Sequence, residues 1–190
     1  VVIVPIYKGE EQLAQITKRV NTIKTELENR GIRVKFDDRD THKPGWKFAE
    51  YEFKGVPVRI AMGPRDLESG TVEVARRDTL EKMTLNQVDM AGQIEGLLEK
   101  IQDNLFQKAL KYREDNTTEV NDYEEFKTIL NTKGGFVLAH WDGTSITEEK
   151  IKQETKATIR CIPLTGNNEE GKCIYTGNPS KHRVLFAKAY

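Results

Sequence analysis

The sequence has little cysteine, no long apolar run and no net charge, and each absence removes a class of function. Two thiols, Cys161 and Cys173, in 190 residues are too few for a disulfide framework and suit a reducing compartment. No apolar run approaches the ~20 residues that a membrane-spanning helix needs, so no membrane partner is expected. The opening Val1-Val2-Ile3-Val4-Pro5-Ile6 is too short for a signal-peptide core and has no basic region before it, which makes a cytoplasmic location the expectation. A starting Met is also absent, and a chain that enters in the middle of a buried-strand pattern reads as a piece cut from a longer protein. Thirty basic residues balance thirty acidic ones, so global charge gives no support to bulk polyanion binding and nucleic-acid recognition is expected to be local and specific. There is no internal repeat and no low-complexity tract. What is present is 37% hydrophobic and 32% charged, the balance of a globular protein with a charged surface rather than of a disordered tail.

Periodicity places the elements. Val1 to Ile6 reads as a fully buried strand, and Leu13, Ile16, Val20, Ile23 and Leu27 form the stripe of an amphipathic helix. Gly31 is its expected C-terminal cap. Ile32, Val34 and Phe36 alternate with charged residues as a strand with one buried face. Pro44-Gly45 suits the entry of a short helix ending near Gly55, because proline is tolerated in a first helical turn. Strands are expected at 56–62 and 71–76, with Gly63-Pro64-Arg65-Asp66 turning the chain between them. Ile94, Leu97, Leu98, Ile101, Leu105 and Ala109 then close the unit with a helix. This series is an α/β sandwich, a mixed sheet flanked by helices. From about Asn116 the texture changes to a smaller α+β unit. It has a helix around Tyr123, Phe126, Ile129 and Leu130, a strand at 136–139, a helix opened by a capping box at Ser145 to Glu148, and short strands near 159–164, 171–177 and 183–187.

Three stretches resemble one family. They are Asp37-Asp38-Arg39-Asp40 with Lys43-Pro44-Gly45-Trp46-Lys47-Phe48, then Lys54-Gly55-Val56-Pro57-Val58-Arg59 leading to Gly63-Pro64-Arg65-Asp66-Leu67, and the closing Val184-Leu185-Phe186-Ala187-Lys188-Ala189-Tyr190. In order and spacing they are similar to the C-terminal region of prolyl-tRNA synthetases of the archaeal and eukaryote-like type. The resemblance implies a class II synthetase anticodon-binding domain at 1–110 and the family's zinc-binding-like C-terminal domain at 116–190. It further implies a catalytic domain, with its ATP and Mg, before Val1, proline tRNA as partner and a homodimer as the full-length enzyme. Without that catalytic domain the chain is not expected to be catalytic by itself. The rival in another class is a stand-alone interaction module or accessory subunit that reuses the anticodon-binding fold. A metal-dependent hydrolase or redox domain lacks its ligands and nucleophile.

By that resemblance the anticodon-reading positions are Phe48, Glu52, Arg59, Arg65 and Asp66. Proline anticodons share two guanines, and an unpaired guanine shows N–H donors beside the O6 acceptor, so a reader needs carboxylates and cations side by side. Phe48 and Glu52 are four apart on one helix face, where a ring can stack beside an accepting carboxylate. Arg59 lies on a strand and Arg65-Asp66 in a Gly-Pro loop, from which an arginine can donate to guanine O6 or N7. From the residues alone Phe48 is equally readable as core and Glu52 as a solvated surface charge. Residues 33–66 carry eight Lys/Arg against six Asp/Glu, a mixture suited to base readout, with Arg33, Lys35, Lys43 and Lys47 as candidate phosphate contacts.

Zinc-containing relatives carry two cysteine pairs in the C-terminal domain, and this chain departs from them. The second pair reads Cys173-Ile174-Tyr175-Thr176, and 141–147, where the first belongs, has no cysteine. Threonine is a poor zinc ligand beside thiolate, so the zinc site is expected to be lost, with no metal site in its place. Cys161 is expected to be a buried small hydrophobe, and His140 and His182 to be hydrogen-bonded rather than replacement ligands. Apolar packing of Ile159, Ile162, Ile174, Val184 and Phe186 then has to hold the small domain. Tyr190 closes the chain, and the resemblance implies that its terminal carboxylate supports the parent active site.

Overall fold

The computed structural model describes residues 1–164 and 169–188. Two units, Val1–Gln107 and Lys108–Tyr190, each carry their own core. In the first, β1 (Val2–Pro5) is buried at all four positions because it lies between two neighbours in a five-stranded sheet and both of its faces are covered. Its parallel neighbours are β2 (Lys35–Phe36) and β3 (Val58–Met62). Antiparallel β4 (Thr71–Arg76) and β5 (Lys82–Asn86) complete the order β2-β1-β3-β4-β5. The edge strand β5 has only Met83 and Leu85 partly buried and was not expected from the sequence.

Strand alternation assigns the two faces. Ile3, Ile60 and Met62 point into the main core with Ile16, Val20, Ile23 and Leu27 of α1 (Glu10–Glu28) and Ile94, Leu97 and Ile101 of α4 (Met90–Asp115). Val2 and Val4 point to the other face, under Tyr51 and Phe48 of α2 (Pro44–Phe53). Gly31 ends α1 as expected: at φ +75 its N–H donates to the Glu28 carbonyl while Ile32 N–H reaches that of Leu27, a Schellman arrangement that favours glycine. The stripe of α4 fails beyond Ile101, since Leu105 and Ala109 are exposed although the helix continues.

Gly63 to Asp66 does not form the expected turn. Pro64–Ser69 is a helix, α3, with proline in its first turn. The Asp66 carboxylate accepts the Gly63 N–H at 2.8 Å, and Gly70 leaves the helix at φ +67. A proline that has no N–H to lose and an acidic residue at the third position are helix-start features.

The second unit holds a four-stranded sheet in the order β6-β7-β11-β8, built from Thr117–Glu119, Phe136–His140, Arg183–Lys188 and Ala157–Cys161 respectively. Two helices accompany it, α5 (Tyr123–Asn131) and α6 (Ser145–Thr155), and a two-stranded ribbon joins β9 (Gly171–Lys172) to β10 (Pro179–Ser180). The cap of α6 is Thr144, whose hydroxyl accepts the Thr147 N–H, so Ser145 is the first helical residue rather than the cap. The core contains Phe126, Val137, Ala139, Ile151, Val184 and Phe186, with Ile159 and Ile174 partly buried against it. Ile162 is half exposed and contributes no such packing.

Cys161 is exposed, contrary to expectation. The register between β8 and β11 slips so that Ile159 faces the buried Phe186, whereas Cys161 faces Leu185. Paired residues share a sheet face, and the extra residue, Arg160, therefore turns Cys161 away from the core.

Candidate nucleic-acid interface

Alternation along β3 sends Arg59 to the face that α2 covers, and the helix brings Phe48 and Glu52 to the same place. Phe48, Glu52 and Arg59 line one shallow pocket together with Tyr51, Arg76 and Arg77. Phe48 is half-buried and Glu52 is exposed. The Arg59 guanidinium carbon lies 3.6 Å from the centroid of the Phe48 ring, a stacked cation–π geometry. Arg59 is 6% exposed, because both faces of β3 are covered. This differs from a strand with one apolar and one open face. Its Nε and Nη1 are buried without a hydrogen-bond partner, and Nη1 stands 3.6 Å from Glu73. Buried unpaired donors are costly, and the ring above them and the nearby Glu73 carboxylate offset that cost.

Arg65 and Asp66 do not join this group. They lie in the first turn of α3, past the opposite end of β3 from the residues that link α2 to that strand. Arg65 is exposed, whereas the Asp66 carboxylate is engaged by the Gly63 N–H. One end of the five-residue set thus forms a pocket, and the other caps a helix.

Of the candidate phosphate contacts, Arg33, Lys35 and Lys43 are exposed. Lys47 is not available: it is 2% exposed, donates to the Asp37 carbonyl at 3.0 Å and to that of Arg39, and stands 3.7 Å from the Asp37 carboxylate. The reason is helical geometry, since Lys47 and Tyr51 are four apart on the inward face of α2 and Tyr51 donates to Asp37 at 3.1 Å. Arg39 forks onto Asp37 at 2.8 and 2.7 Å and also reaches Glu50 at 2.7 Å. The Arg39 guanidinium holds the Asp37 carboxyl far below the usual carboxylate range, with Tyr51 and Lys47 assisting against the opposing effect of burial. This buried network fixes the 37–43 loop to α2. His42 stacks on Trp46 at 3.7 Å.

In the second unit the two segments where paired zinc ligands are expected meet through oxygen atoms instead. Asp142 Oδ2 accepts the hydroxyls of Thr147 and Thr176, each at 2.9 Å, and Oδ1 accepts from the Thr144 hydroxyl at 3.0 Å. Burial raises the pKa of Asp142, but donation from Thr176, Thr147 and Thr144 outweighs it and the net shift is downward. One buried thiol, Cys173, stands near this cluster in sequence, and no group of three or more His, Cys, Asp or Glu suited to a metal exists among the described residues. A single carboxylate satisfied by hydroxyls beside one thiol does not fit a zinc site, which needs four donors dominated by thiolate or imidazole.

His140 is buried and paired with Ser180 at 3.1 Å, and burial, then the charge of Arg183, lowers its pKa. Gly171 is required beside it, since a Cβ there lies 2.3 Å from His140 Nε2. His182 offers its carbonyl to Ser180 at 3.0 Å. Tyr190 lies outside the described residues.

Sequence reasoning passed over Arg77. Its signal was two arginines in succession at the end of a strand, a pattern that does not separate the first, forked onto Asp78, from the second, which faces the pocket.

Comparisons with known proteins agree with this division. Residues 1–104 match the family model described as "Anticodon binding domain", and residues 123–190 match "Prolyl-tRNA synthetase, C-terminal". All 190 residues align with proteins named proline–tRNA ligase, at 62% identity in Flavobacterium johnsoniae, 61% in Porphyromonas gingivalis and 57% in Christiangramia forsetii. The chain spans 39%, 38% and 39% of those relatives, respectively. No helix among the described residues is long and apolar enough to cross a membrane. With an α/β unit matched along its length and a second unit matched to the synthetase's own C-terminal model, the chain belongs to the anticodon-binding domain family, in the form found in the C-terminal region of prolyl-tRNA synthetase.

Proposed function

We propose that this chain reads the anticodon of proline tRNA as the C-terminal part of a proline–tRNA ligase. The observation that carries the reading is the pocket of the first unit, where the Phe48 ring stands beside the exposed Glu52 carboxylate. A splayed guanine stacks on the ring and gives its N–H groups to the carboxylate. Arg59 acts from beneath the ring, Arg65 is free to act at a neighbouring nucleotide, and Asp66 serves through the helix it caps. Arg33, Lys35 and Lys43 are the phosphate contacts, and Lys47 is withdrawn from that group by its burial.

The catalytic domain, with its ATP and Mg, belongs to the rest of the ligase. Homodimer formation, a cytoplasmic location and the role of the Tyr190 carboxylate rest on the family resemblance. So does the archaeal and eukaryote-like type, for which the relatives from Flavobacterium and Porphyromonas offer no support. The small domain is proposed to hold its shape without zinc.

A gel-shift series tests the reading. The chain is expected to bind proline tRNA about tenfold or more tightly than a transcript altered at both anticodon guanines. Glu52→Ala should remove most of that preference without loss of folded structure. Equal binding of the two transcripts by the unmutated chain overturns the proposal.

A further inference from the structure

We propose that Arg77 donates to O6 of the guanine whose N–H groups Glu52 accepts, and that Arg59 is a positioning residue which holds the Phe48 ring rather than touching the base. The inference rests on the anticodon-reading function above and assigns, within the same pocket, a contact outside the five residues that the resemblance supplies.

The pairing edge of guanine presents two kinds of group, N–H donors and the O6 acceptor, and recognition requires an acceptor and a donor held side by side. Glu52 supplies the acceptor: its carboxylate is exposed, and no described hydrogen bond or ion pair engages it. Arg59 is poorly placed to be the donor. Its side chain is 7% exposed, and its guanidinium lies over one face of the Phe48 ring at 3.6 Å. A base that stacks on Phe48 has to use the other face, so the ring stands between the base and Arg59. The cation beneath draws on the ring's π-density and fixes its tilt, which is a positioning role.

Arg77 meets the remaining requirement. It is exposed, directly follows β4, and its backbone N–H donates to the Pro57 carbonyl at 2.9 Å. Its Nε donates to the carbonyl of Glu52 at 2.8 Å. The guanidinium is therefore anchored to the same residue whose carboxylate accepts from the base, and the donor and acceptor share one frame. With Nε occupied, the two Nη groups remain, and among the described residues no carboxylate pairs with them. The adjacent Arg76 is excluded, because it forks onto Asp78 at 2.9 and 2.6 Å. An arginine held at Nε with its terminal nitrogens free can donate in the plane of the fork, the geometry suited to an in-plane carbonyl such as O6.

The test uses the 190-residue chain and synthetic anticodon stem-loops of proline tRNA. Each of the two guanines is replaced in turn by 6-thioguanosine, which weakens the acceptor at position 6 and keeps both N–H groups, or by inosine, which lacks only the 2-amino group. The unmutated chain is expected to prefer guanine over 6-thioguanosine at one position by about five- to tenfold, less than the loss of a whole charge-assisted hydrogen bond because sulfur remains a weak acceptor. Arg77→Ala should reduce that ratio to about one and leave the guanine-to-inosine ratio intact, while Glu52→Gln should do the reverse. Arg59→Lys should weaken all five stem-loops, the unmodified one and the four substituted ones, by a common factor. Persistence of the 6-thioguanosine ratio in Arg77→Ala overturns the assignment. So does a uniform loss on all stem-loops with a shallower salt dependence, which marks a phosphate contact. Failure of the functional reading itself is distinguishable, because it shows in the unmutated chain as indifference to both anticodon guanines.

Discussion

Lys47 shows how one residue changes meaning between sequence and structure. In the sequence it is one of four cations around a motif that suggests nucleic acid. In the fold its ammonium is buried against two carbonyl groups and Asp37, and its role is to close the 37–43 loop. Removing one partner of a buried charged network is costly because the other groups stay desolvated. Lys47→Met keeps the stem and removes the charge, and it is expected to lower unfolding stability by about 3 kcal/mol in denaturant titration, with no separate change in the guanine preference of the fraction that remains folded. The network carries a pH signature through Asp37, whose folded pKa is depressed. Its contribution is complete above the unfolded value of about 3.9 and is lost as the pH falls through the folded value. The stability gap between the natural chain and Asp37→Asn should therefore stay constant from neutral pH to about pH 5 and narrow below about pH 4. A gap that narrowed near neutral pH would implicate another group.

At the scale of elements, the sequence disclosed what has a strong period and concealed what depends on pairing. The α1 stripe, the buried β1 and the proline-led α2 were legible because each is a local pattern with a local cause. β5 and β6 were not: the first has two half-buried apolar residues and the second, Thr117-Thr118-Glu119, has none, so both are held by ladders to a neighbour that no local signal announces. α3 looks like a turn in the sequence, because Gly-Pro is ambiguous until the Asp66 cap is seen. Cys161 depended on a one-residue register slip, which periodicity cannot show. At the site, Phe48 and Glu52 were legible as a helical pair, whereas the burial of Arg59 and the anchoring of Arg77 required the partner strand. The Asp142 cluster is also of this kind, since it joins a loop and a turn 34 residues apart through Thr176. It links these elements by hydrogen bonds, so a chelator is expected to leave the melting temperature unchanged. Asp142→Ala, by contrast, should reduce stability by about 1–2 kcal/mol, because three hydroxyl donors lose their acceptor. A melting temperature that fell with chelator would show that metal holds the two segments after all.

For the whole molecule, a formal net charge of zero separates two ways of binding RNA. A protein that holds RNA mainly through phosphates gathers cations and releases many counterions, and its affinity falls steeply with salt. Here thirty acidic residues oppose thirty basic ones, and Arg39, Arg76 and Lys47 are already paired with carboxylates. Three of the four candidate phosphate contacts, Arg33, Lys35 and Lys43, stay exposed. Each phosphate neutralised on a single strand contributes a slope of about −0.7 in log affinity against log salt, so three contacts correspond to about −2. Fluorescence anisotropy with the proline anticodon stem-loop between roughly 50 and 200 mM salt should return a slope near that value. Lys43→Ala should reduce its magnitude by about 0.7 and leave the preference for guanine unchanged, since a phosphate contact carries no base information. A slope of about −5 or steeper would mean that phosphate attraction dominates and that cations well beyond these three take part. Base readout through Phe48, Glu52 and Arg77 would then be a refinement on electrostatic binding rather than its basis.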